Sequence, residues 1–128
     1  MNLKTYCNGI QHIGIPVSDM DAAIAFYEKI GFENVYSTMD GNDRVVFLKL
    51  GNLVLETFEM NPVAGVNGAI DHVALDVNDI EETYAWAKEA GLPVLEDEIQ
   101  FLPFWANGVK FFNVLGPDHV TVEFSQML

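Results

Sequence analysis

Half of the 128 residues are hydrophobic and 12 % are aromatic, enough to bury one compact core and too much for a disordered chain. Nineteen acidic residues against six basic ones leave a formal charge of −13, a field that repels phosphate backbones and anionic bilayers, so neither nucleic acid nor a membrane is expected as a partner. One cysteine, Cys7, permits no intrachain disulfide, and MNLKTYCNGI lacks the apolar run of a secretion signal, so a cytoplasmic protein is expected.

In chain order, IQHIGIPV (10–17) reads as a strand and DMDAAIAFYEKIGF (19–32) as a capped helix, with Met20, Ile24, Tyr27 and Ile30 marking its apolar face. Gly31 falls where a left-handed C-cap is wanted. Three extended stretches follow, FENVYSTM, RVVFLKL and LVLETFEM, separated by the turn signals DGND and Gly51-Asn52. NPVAGVNG (61–68) is small, turn-rich and reads as a linker.

The plan then starts again. IDHVALDV is a strand, DIEETYAWAKEAGL a helix ending at Gly91, and PVLEDEIQ, GVKFFNVL and HVTVEFSQ are three further strands, broken by FLPFWAN and by Gly116-Pro117-Asp118. Setting residues 11–32 over 71–92 aligns His12 with His72, Val17 with Val77, Asp19 with Asp79, Ala25 with Ala85 and Gly31 with Gly91. The expected fold class is therefore α+β: one domain of two βαβββ modules, about 8–60 and 69–126, joined by the linker 61–68, with the sheets forming a barrel-like cup and the helices outside.

Strand alternation separates two faces. Ile13, Ile15 and Val17 oppose His12, Gly14 and Pro16; Val73, Leu75 and Val77 oppose His72, Ala74 and Asp76. In the last strand of each module an acid, Glu56 or Glu123, sits on the face away from the helix among apolar neighbours, where a carboxylate is costly unless paired, protonated or bound to metal. A lone strand histidine is commonly just a hydrogen-bonded core residue, and a strand acid can simply face water. Two histidines and two glutamates at repeat-related positions, in a chain with only three histidines, instead suggest ligands for one divalent metal such as Ni, Zn, Co or Mn. His119, beside a turn, reads as solvated.

These segments, HIGIPVSDMDAAIAFYEKIGF, LETFE, DHVALDVNDIEETYAWAKEAG and FFNVLGPDHVTVEF, resemble the vicinal oxygen chelate superfamily, which includes glyoxalase I, methylmalonyl-CoA epimerase, extradiol dioxygenases and the fosfomycin and bleomycin resistance proteins. The resemblance covers nearly the whole chain and implies paired βαβββ modules, often a homodimer, and metal ligands at His12, Glu56, His72 and Glu123. That ligand set is closest to the glyoxalase I branch. It implies a metal-dependent lyase or isomerase, of the lactoylglutathione lyase class, that abstracts a proton beside a metal-bound carbonyl of a small-molecule substrate through an enediolate. Glu123 is the expected base and Glu56 its pseudo-symmetric counterpart. The alternatives are a metal-dependent epimerase of a small acid or thioester and a resistance protein that sequesters a small molecule without turnover.

The substrate end of the pattern departs from glyoxalase I. GIPVSD, beyond the first ligand, carries no basic residue, and Arg44 is the only arginine. Arg44 is therefore a candidate substrate contact, together with Phe101, Phe104 and Trp105 of FLPFWANG, which form either an apolar lid or part of the core or of a dimer seam. Phe26, Tyr27, Tyr84 and Trp86 of the helices are expected in the core.

Overall fold

The computed structural model describes residues 2–128, which form two compact units, the first ending at Val63 and the second beginning at Ala64. A one-turn helix α1 (Leu3–Tyr6) precedes the first unit's β1 (Ile13–Val17), α2 (Met20–Ile30), β2 (Glu33–Asp40), β3 (Asp43–Leu50) and β4 (Leu53–Glu59). The second unit has β5 (His72–Asp76), α3 (Ile80–Glu89), β6 (Gln100–Leu102), β7 (Val109–Leu115), a 3-10 turn at Pro117–His119 and β8 (Thr121–Met127). No helix of the described residues is long and apolar enough to cross a membrane.

Each unit is a βαβββ module with a four-stranded mixed sheet, ordered β1-β4-β3-β2 in the first and β5-β8-β7-β6 in the second. The first strand runs parallel to the last, which the intervening helix makes possible, and the other pairings are antiparallel. Gly41 and Gly51 adopt φ of 60° and 59° at the first position of their two-residue turns, the conformation that type II′ hairpins require of glycine.

The helices begin and end in the same way. Asp19 and Asp79 each accept the backbone N–H three residues on, at 3.0 Å. At the far end Phe32 N–H bonds Tyr27 O while Gly31 N–H bonds Glu28 O, and Leu92 bonds Ala87 as Gly91 bonds Lys88. This is a Schellman closure around a left-handed glycine, reproduced sixty residues later.

Alternation places one face of each sheet under its helix. In the first unit Ile15, Val17, Val46, Leu48, Leu55 and Thr57 are buried with Met20, Ala23 and Tyr27 of α2. Ala23 thus joins the buried stripe where the sequence had suggested Ile24, which is only half-buried. Buried Thr57 satisfies its hydroxyl on Val46 O at 2.7 Å. In the second unit Phe112 stacks on Phe124 at 5.0 Å and meets Tyr84 edge-on at 5.1 Å. Tyr27 and Tyr84 are core residues as expected, whereas Phe26 is half-buried and Trp86 is 37 % exposed, its ring edge against Phe124.

One predicted strand is corrected. PVLEDEIQ does not run as a strand: Val94 makes an isolated bridge to Val114, and β6 begins only at Gln100, so Phe101 and Leu102 are strand rather than loop. Pro93 has no N–H to donate, and the Glu96 side chain takes over the ladder, accepting from Asn113 N–H at 2.8 Å and from Asn113 Nδ2 at 2.6 Å.

Candidate metal centre

The register places each glutamate beside the smallest residue of the first strand. On β4, Glu56 pairs with Gly14 of β1 and Phe47 of β3; on β8, Glu123 pairs with Ala74 of β5 and Asn113 of β7. Across that small residue the histidine two positions earlier faces the carboxylate. His12, one residue before β1, brings Nε2 to 3.9 Å from Glu56 Oε2, and His72, at the start of β5, brings Nε2 to 3.3 Å from Glu123 Oε2. The structure thus brings the four residues together as two pairs, one in each unit.

The other imidazole nitrogen is held in both pairs. His12 Nδ1 lies 3.0 Å from Gln11 Oε1 and His72 Nδ1 lies 2.9 Å from Asp71 Oδ2, contacts that orient each ring. Asp71 is itself held by Asn67 Nδ2 at 3.0 Å, and Asn67 Oδ1 accepts from Thr121 at 3.3 Å. The hydrogen bond from His72, aided by that from Asn67, keeps the Asp71 carboxyl below the usual carboxylate range. Gln11, Asp71 and Asn67 escaped the sequence reading, although residues 11 and 71 stand at matching positions of the repeated phrase.

These pairs suit a divalent cation. An imidazole Nε2 facing a carboxylate oxygen needs a proton or a cation between them, because two lone pairs facing each other repel. Nitrogen and oxygen ligands about 2.1 Å from one metal sit roughly 3.0–3.4 Å apart at tetrahedral to octahedral angles. The His72–Glu123 separation falls in that range and the His12–Glu56 separation is wider. Among the described residues no three His, Cys, Asp or Glu side chains gather at one point, so each module offers two protein donors.

Each glutamate lines a cleft. Glu123 and His72 open into one of about 570 Å³ walled by Leu95, Leu102, Phe104, Trp105, Val109 and Phe111, with Asn113, Thr121 and Ser125 on its floor. Glu56 lines another, of about 680 Å³, with Asp40, Asp43 and Glu59. Of the three aromatics singled out from sequence, Phe104 and Trp105 line the cleft beside Glu123, 54 % and 74 % exposed. Phe101 does not line it; its ring covers Gly108, whose φ of 94° and crowded Cα leave no room for a side chain.

Arg44 is not brought to the His12–Glu56 pair. It lies three residues from Phe47 on β3, hence on the opposite face, and its Nη1 bonds Asp21 of α2 at 2.8 Å. That pairing holds the guanidinium protonated even more firmly than usual. Lys110 makes the equivalent bridge to Glu81 of α3 at 2.5 Å, and Asp21 and Glu81 are sixty residues apart. His119 is exposed at its turn and meets the carbonyl of Gly65 rather than lining the cleft.

A family model described as the Glyoxalase/Bleomycin resistance protein/Dioxygenase superfamily matches residues 9–124, and the chain belongs to that superfamily. It is 31 % identical over 124 residues to the uncharacterized protein YwbC of Bacillus subtilis, covering 91 % of this chain and 96 % of that one. It is 33 % identical over 98 residues to an ethylmalonyl-CoA/methylmalonyl-CoA epimerase of Cereibacter sphaeroides, covering 67 % and 73 %. Among solved structures, a glyoxalase family protein of Enterococcus faecalis superimposes with a TM-score of 0.78 at 28 % identity, covering 94 % of this chain and 98 % of that one. The fosfomycin resistance protein FosX of Listeria monocytogenes, complexed with Mn(II) and sulfate, shares the fold with a TM-score of 0.70 at 18 % identity, covering 95 % and 94 %.

Proposed function

We propose that the protein is a divalent-metal-dependent enzyme of the glyoxalase I type that moves a proton at a carbon next to a carbonyl, with His12, Glu56, His72 and Glu123 holding one metal ion. The observation that supports this most is the repeated pair: an imidazole tied at Nδ1, its Nε2 turned to a glutamate over a glycine or an alanine. When bound, the ion would supply Lewis acidity that polarises the substrate carbonyl and makes the neighbouring C–H acidic.

The chain's own residues then divide the work. His12 and His72 would present Nε2 to the ion, with Gln11 and Asp71 orienting the rings from the other side. Glu123 is the base: its side chain is 17 % exposed against 31 % for Glu56, and it opens into the cleft with an apolar wall where a substrate would lie. Glu123 takes the proton from carbon and returns it, to the neighbouring carbon in an isomerisation or to the same carbon in an epimerisation. The likeness to the ethylmalonyl-CoA/methylmalonyl-CoA epimerase favours epimerisation as the second reading.

The test is exchange from deuterium oxide into an α-hydroxycarbonyl substrate, followed by mass and NMR. Metal-loaded wild type is expected to incorporate deuterium, the carbon labelled separating the two readings. Glu123→Gln is expected to lose about 10²–10⁴-fold in exchange rate, the usual worth of a positioned base. Undiminished exchange in Glu123→Gln would contradict the assignment.

A further inference from the structure

The six basic side chains are distributed in a way that constrains the substrate. Arg44 and Lys110 are committed to Asp21 and Glu81 on the helix faces of their sheets. Lys88 lies over the Tyr84 ring at 4.2 Å, and Lys4 and Lys29 belong to α1 and α2. Lys49, at the far end of β3 opposite Glu33, is exposed and lines neither cleft. Among the described residues, no lysine or arginine lines the cleft beside Glu123 or the one beside Glu56. The first has an apolar wall over a floor whose polar side chains, Asn113, Thr121 and Ser125, are all uncharged, and two of its aromatics stand largely exposed on a loop where Trp105 adopts a left-handed φ of 62°. Exposed aromatics of this size gain much contact area when a ligand covers them.

We infer that the substrate's non-reacting portion is uncharged and apolar and lies against Phe104 and Trp105, while its oxygen atoms face His72 and Glu123. A carboxylate or phosphate at that end would leave water for a wall of carbon without a cation to meet it. The inference rests on the reading of His72 and Glu123 as the reacting end. It sets this chain apart from enzymes whose substrates carry a charged peptide or nucleotide tail.

Two probes sharing one chelating end test it: 2-hydroxyacetophenone and its 4-carboxylate, titrated calorimetrically into metal-free and manganese-loaded protein. The neutral ketone is expected to bind about tenfold or more tightly than the carboxylate, because only the latter buries an unpaired charge. Phe104→Ala/Trp105→Ala is expected to weaken the neutral probe, and Ser125→Lys, which adds an ammonium to the cleft floor, to close the gap between the two. Equal or tighter binding of the carboxylate by wild type, or no binding of either probe, would overturn the inference, as would neutral binding indifferent to the aromatic pair. Failure to take up manganese would remove the metal reading separately, leaving the charge preference to be read in the metal-free titration.

Discussion

His12 and His72 occupy matching places but lean on different partners, an amide at Gln11 and a carboxylate at Asp71 pinned by Asn67. A carboxylate on the far nitrogen orients the ring and raises its basicity, and loss of such a partner typically costs 10–100-fold in metal affinity, as a rough guide. Asp71→Ala is therefore expected to weaken metal binding by about that factor, and Gln11→Ala by less, in competition with a chromogenic chelator. Equal losses in the two variants would contradict the asymmetry. The histidines and glutamates were legible from strand alternation. Gln11 and Asp71 were not, because neighbours in a strand point to opposite faces, and these contacts form just before the strand pleat is established. Arg44 attracted notice through scarcity, yet its parity on β3 already assigned it to the helix face.

At the scale of elements the repeat is physical as well as textual. Asp19 and Asp79 make the same cap at the same distance, so Asp19→Ala and Asp79→Ala are each expected to cost about 1 kcal/mol in urea unfolding. The bridges from Arg44 and Lys110 to first-turn acids staple each helix to its sheet. The hydrogen bond from Lys110 keeps Glu81 below the usual carboxylate range. Its contribution is therefore complete above the unfolded carboxylate's pKa and disappears as pH falls through the lower folded value. Lys110→Met is expected to flatten that part of the acid limb by lowering stability slightly at neutral pH while leaving it unchanged in acid, a small effect because the pair is exposed. Strands, helices and their glycine stops could be read from periodicity. The segment 93–100 could not, because a carboxylate standing in for backbone hydrogen bonds has no signature in an alternating run of acids and aliphatics.

For the whole molecule, the duplicated βαβββ plan makes each module one half of a proposed four-ligand site, and we propose that two chains associate, so the native mass is expected at twice 14.3 kDa. A site that took one His–Glu pair of each kind would hold one ion per chain. Elemental analysis of the purified protein and of its His12→Ala and His72→Ala variants tests this claim most directly. One tightly held divalent ion per wild-type chain is expected, with loss of tight binding from either single variant if both histidines serve the same ion. Two ions per chain with one surviving each substitution, or a natively metal-free chain, would contradict it.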